Sequence, residues 1–126
     1  MQQKTAIEIP KVYFTLLNHL YEIERKVGGL EDFKKIARNI ERMKDIFRTE
    51  IFPAELYYED PMGQSYDETR NDLDANISGE GTEDLVVVDV IKPIIRIGNS
   101  QQGFSKIVQK GVVIAESKTK QEETKK

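Results

Sequence analysis

The sequence has no cysteine and a single histidine, His19. Without thiols there are no disulfides and no thiolate chemistry, and an intracellular setting is expected. With one imidazole, a histidine-based metal site or a histidine triad would have to be built around His19 alone. No suitable partner spacing is visible. Positive charge is not in excess either: 19 Lys and Arg stand against 22 Asp and Glu, for a net charge of −3. Binding to phosphate backbones wants a clear basic surplus, so nucleic acid is not expected as a partner. No segment approaches the ~20 apolar residues of a membrane span. The start, "MQQKTAIEIPK", has no apolar signal core, so the expectation is a cytoplasmic protein that does not engage a membrane. No Walker-type loop or dinucleotide fingerprint is present, and "GEG" at Gly79–Gly81 is too short and too acidic to cradle phosphate. No cofactor is expected.

What is present is a chain of 126 residues, 38% hydrophobic and 33% charged, enough for one modest domain or two small units sharing a core. The expected class is α+β, a helical hairpin followed by a small all-β domain. The hairpin, with its dimerisation surface, takes residues 1–53, a polar connector 54–84, the β-domain 85–116 and a disordered tail 117–126. Pro10 suits the start of a helix, and Tyr13, Leu16, Leu17, Leu20, Ile23 and Val27 then follow at helical steps. Gly28–Gly29 should end it, because glycine tolerates the left-handed conformation of a C-terminus. A second helix reads "LEDFKKIARNIERMKDIFRTEIF", with Glu31 and Asp32 in its first turn. Its Phe33, Ile36, Ile40, Met43 and Phe47 step by three, four, three and four, a heptad-like seam.

A hairpin alone buries too little to be stable. Either a second copy or the C-terminal part of the same chain must cover its apolar residues. The expected arrangement is a homodimeric four-helix bundle whose seam holds Leu16, Leu20, Phe33, Ile36, Ile40, Met43 and Phe47.

Pro53 closes the helical zone, and the stretch after it is rich in turn formers and acid. The β-branched run Val86–Ile91 has strand composition, and Pro93 marks an edge, a bend or a strand change. "GNSQQG" has the composition of a hairpin loop, and "FSKIVQKGVVIAES" is expected as one further strand with Gly111 as a candidate bulge. The tail "KTKQEETKK" carries no apolar residue.

The densest charge lies in "YDETRNDLDA", residues 66–75. Asp72, Asp74, Asn76 and Glu83 match ligand positions of a calcium loop. The sixth position, which needs glycine, is Ile77, and the apolar eighth is Gly79, so a calcium site is not expected. No apolar pocket is apparent that would tune one carboxylate for acid–base work, and catalysis is not expected. Tyr66, Asp67 and Asn71 are assigned instead to a joint. Tyr66 packs the connector onto the β-unit, and Asp67 turns the backbone by side-chain hydrogen bonding.

The order of these parts, with "YDETRNDLDA", "LVVVDVIKPIIRIGN" and "SKIVQKGVVIAES", resembles the GrpE family, nucleotide exchange factors of DnaK-type chaperones. Tyr66 and Asp67 fall at that family's aromatic–acid pair, and Asn71 and Asp72 at its histidine–glutamate pair. Lys106 and Gln109 fall at its two arginines, and Lys110–Gly111 at its proline–alanine. Glu68 departs from the family's proline. The resemblance implies binding rather than chemistry. The β-domain would contact the nucleotide-binding domain of a chaperone and favour its open cleft, so that ADP leaves faster. The residues it implies for that contact are Arg96, Ile97, Lys106, Val108, Gln109 and Lys110. The alternative is a non-catalytic dimeric adaptor or structural protein that binds another protein through its β-domain.

Overall fold

In the computed structural model, which describes residues 9–99 and 101–118, the chain enters its first helix through Pro10. With φ −56° and ψ 139°, Pro10 is extended, and its carbonyl accepts the amide of Tyr13 at 2.9 Å. No glycine or proline interrupts α1, Lys11–Val27, and Arg25 and Lys26 in its last turn complement the helix dipole. Gly28 does not take the left-handed conformation expected of it. Its φ is −60°, and its amide still donates to Glu24 O at 3.0 Å. The chain turns instead through two short bonds, Leu30 N to Val27 O and Phe33 N to Leu30 O, which need no left-handed residue.

The second helix, α2, spans Phe33–Thr49 and is shorter at both ends than its periodicity suggests. Asp32 is its N-cap rather than a first-turn residue and makes no side-chain cap bond. Beyond Thr49 the chain passes through a turn that links Ile51 O to Ala54 N at 2.9 Å.

Seven strands follow among the described residues: β1 Ala54–Glu59, β2 Ser65–Tyr66, β3 Leu73–Ser78, β4 Leu85–Lys92, β5 Ile94–Asn99, β6 Phe104–Gln109 and β7 Gly111–Ser117. They form a three-stranded sheet of order β1-β5-β6 and a four-stranded sheet of order β2-β4-β7-β3. Among the described residues only the pair β3–β7 is parallel. The fold class is α+β, two N-terminal helices and then a β-rich region of two sheets. Residues 54–84, expected as connector, supply three of the strands. The tail lies, apart from Ser117 and Lys118, outside the described residues.

Two single residues carry the chain between the sheets. Pro93, buried, separates β4 in one sheet from β5 in the other, so of the three options its position offered, the strand change is the one realised. A residue in neither ladder needs no amide hydrogen, which suits proline. Lys110 makes the return step between β6 and β7, so "FSKIVQKGVVIAES" is two strands and not one. Gly111 is therefore the first residue of β7, paired with Leu73, rather than a bulge. A Cβ there would lie 2.8 Å from Leu73 Cδ2 and 3.0 Å from Ile94 Cγ1, so only glycine allows this close approach.

Each sheet has its own core cluster. Leu17, Leu56 and Ile95 centre the one between the helices and the three-stranded sheet, with Tyr13, Phe47, Ile97 and Val108 against it. Leu73, Val87, Val90, Ile94 and Val113 form the other, which Tyr21 of α1 joins. One helix thus contributes to both cores, which fixes its place on the β-unit.

Candidate functional site

The seven residues assigned to a bundle seam fall in two groups. Leu20 and Ile40 are buried inside the protomer, 4% and 3% exposed. Phe47 packs on the helix–sheet core and meets Tyr13 edge-on at 5.9 Å, and Phe33 is half-buried. Leu16, Ile36 and Met43 are open, 50%, 36% and 40% exposed, and Val12, Ile23 and Ile46 join them. On α1 the open residues lie opposite Leu17 and Tyr21, the pair that faces the β-unit. The hairpin therefore leaves an apolar stripe open on its outer side.

On the β-unit, the residues assigned to partner binding also divide. Ile97 and Val108 pack into the helix–sheet core. The Gln109 amide exchanges hydrogen bonds with Asn18 of α1 at 2.9 and 3.1 Å and donates to Pro93 O at 3.0 Å. It pins the helix to the point where the chain changes sheets. Arg96 donates to Glu59 at 2.7 Å and to Asp72 at 3.2 Å. Lys106 is exposed on β6, an edge strand, and Lys110 is exposed beside it, 3.7 Å from Asp74. Of the six, these two lysines are the ones the fold leaves open to a partner.

Asp72 is the centre of a network that sequence reasoning missed. Arg70 grips its carboxylate with two bonds of 2.9 Å while Arg96 approaches from β5, and only 13% of the aspartate side chain is exposed. The hydrogen bonds from Arg70, then the charges of Arg70 and Arg96, hold the Asp72 carboxyl below the usual carboxylate range. Arg70 also donates to Gln64 and to the carbonyl of Ser65, so one guanidinium organises the whole joint. Tyr66 sits in β2 against the four-stranded sheet's core, and Asn71 is exposed. Asp67 accepts bonds from the amide and hydroxyl of Thr69, which lower its carboxyl in turn.

A second polar set joins helix to sheet. Tyr58 donates to Glu24 at 2.6 Å, and Lys44 pairs with Glu24 at 3.0 Å while lying 5.1 Å above the Tyr58 ring. Burial, then that bond, pushes the Tyr58 hydroxyl up. Tyr21 donates to Asp60 at 3.3 Å, and its hydroxyl is pushed up to about 12 by burial first and Asp60 second. Arg25 caps Val90 O at 2.5 Å and pairs with Asp89 at 3.0 Å, beside the irregular register of β4.

The chain matches no family model, no curated protein and no solved structure. Among the described residues, no group of three or more histidine and carboxylate side chains is arranged to hold a metal ion. No described helix is long and apolar enough to cross a membrane. The arrangement can present two separate surfaces: an apolar stripe on the hairpin and, on the β-unit, the exposed lysines Lys106 and Lys110, the second paired with Asp74.

Proposed function

We propose that the protein is a GrpE-like co-chaperone, a non-enzymatic cytoplasmic homodimer that binds the nucleotide-binding domain of a DnaK-type chaperone and promotes ADP release. The observation that carries this reading is the separation of the two open surfaces on one protomer. The apolar stripe of Val12, Leu16, Ile23, Ile36, Met43 and Ile46 suits a second copy. Lys106, exposed on the edge strand β6, and Lys110, exposed just after it, suit an acidic partner. The order of hairpin, joint and β-unit, with the segments that resemble the GrpE family, supports it. Arg96, Gln109, Ile97 and Val108 then act by shaping the β-unit, and the lysines make contact. The exchange factor prefers the open cleft, so by linkage it and nucleotide weaken each other's binding.

The test is binding of the chaperone's nucleotide-binding domain without nucleotide, with ADP and with ATP. Tight binding that ATP weakens, and that Lys106→Glu with Lys110→Glu weakens at least ~tenfold, is the expected result. An adaptor recognising extended peptides at the free edge of β6 would ignore nucleotide. That outcome would replace the exchange-factor reading.

A further inference from the structure

The open stripe on α1 runs Val12, Leu16, His19, Ile23, in steps of four, three and four. On α2 it runs Ile36, Asn39, Met43, Ile46, in steps of three, four and three. Alternating threes and fours are the spacing by which helices interlock with other helices. The six apolar members are between 36% and 54% exposed. Together they offer several hundred Å² of apolar surface, on the order of the ~800 Å² per partner of a standard interface. Each stripe has one polar member, and on α1 it is the only histidine of the chain.

We propose that docking of a second copy on this stripe is gated by His19: the copies associate while its imidazole is neutral and separate when it is charged. This rests on the homodimer reading above. Histidine is the side chain whose charge ordinarily changes between about pH 5 and 8. In the single protomer the His19 side chain is 68% exposed, with Nδ1 3.8 Å from Glu22 Oε2, so water and a carboxylate serve the cation. In a docked pair the ring lies between Leu16 and Ile23 and faces the same apolar stripe on the second copy. A neutral ring is accommodated there, and the Asn39 amide is a suitable hydrogen-bond partner for it. An imidazolium loses its water there.

Charged groups of both signs rim the stripe. On α1 the nearest groups are Glu22 and, two turns on, Lys26. On α2, Lys35, Arg38 and Arg42 flank the stripe together with Glu50 and with Asp32, which lies 3.8 Å from Lys35 Nζ. β1 packs against the opposite side of α1, through Leu56 on Leu17, so its Glu55 and Glu59 do not face the ring. A second copy therefore brings charge of both signs to the rim of the stripe, and the loss of water around the ring is what disfavours the imidazolium. Protons bind the separated copies better, so association weakens as the imidazole becomes charged. Two histidines per pair set a ceiling of about 100-fold in Kd per pH unit.

The experiment is sedimentation equilibrium of the full chain at pH 7.5, 6.5 and 5.5, with circular dichroism at each pH to confirm an intact fold. The native chain should weaken its Kd at least ~tenfold between pH 7.5 and 5.5, while His19→Gln and His19→Leu hold theirs within about twofold. A native pair with the same Kd at all three values overturns the gate and leaves the homodimer standing. Variants that weaken with acid as the native chain does assign the effect to another group and overturn it as well. Loss of association by both variants at pH 7.5 also overturns it. A native chain monomeric at every pH removes the homodimer reading, and the gate with it.

Discussion

Asp72 is the residue whose loss the structure penalises most clearly. Two guanidiniums converge on a largely buried carboxylate, so Asp72→Asn leaves Arg70 without its paired carboxylate and Arg96 with Glu59 alone. The expected cost is about 2 kcal/mol in urea unfolding at pH 7. Because the folded-state carboxyl titrates below its unfolded value, its contribution is complete above about pH 4 and is lost as pH falls through the lowered pKa. The variant should therefore lose less stability than the native chain between pH 5 and pH 3. Equal losses in both would remove Asp72 as the acid-sensitive group. Gly111 makes a second prediction at this scale. Gly111→Ala puts a methyl against Leu73 and Ile94, both buried, and should cost about 1–3 kcal/mol. Leu73→Val in the same chain should recover part of that loss in a thermal melt. Asp67 was legible in the sequence, because an aspartate two residues before a threonine bonds locally. Asp72 was not, because Arg96 is twenty-four residues away and nothing in the local pattern brings it back.

At the scale of elements, legibility followed the range of the interactions. The helices declared themselves through a 3.6-residue period, and β4 through its run of β-branched residues. β1 was missed because "AELYYE" sits among turn formers, and its alternation becomes visible only against Ile95 and Ile97 of β5. β3 was missed for a stronger reason: "LDANIS" has little strand propensity and exists as the parallel partner of β7, thirty-eight residues on. The division of the last segment into β6 and β7 likewise depends on which sheet each half joins. The pin between α1 and the sheet crossover can be measured directly. A double-mutant cycle on Asn18→Ala and Gln109→Ala should give a coupling of about 0.5–1.5 kcal/mol, since the two amides bond each other in both directions. Strict additivity would show that the pair contributes nothing beyond its separate contacts.

At the scale of the molecule, the heptad seam read from α2 mixed two jobs that only the fold separates. Ile40 and Phe47 complete the protomer, whereas Leu16, Ile36 and Met43 remain available to a second copy. Leu16→Glu with Met43→Glu should thus give a folded monomer by sedimentation, with the native circular dichroism spectrum. Changing Ile40 instead should unfold the protomer, because a charge there has no partner. The β-unit divides in the same way, with Arg96 and Gln109 turned inward to hold the sheets and Lys106 and Lys110 turned outward.

The most direct measurement is the release of a fluorescent ADP analogue from a DnaK-type chaperone of the same organism, with and without this protein. The account predicts faster release, reduced to the unassisted rate when Lys106 and Lys110 are both reversed to glutamate. Release at the unassisted rate, from a chaperone shown to be active, would contradict it.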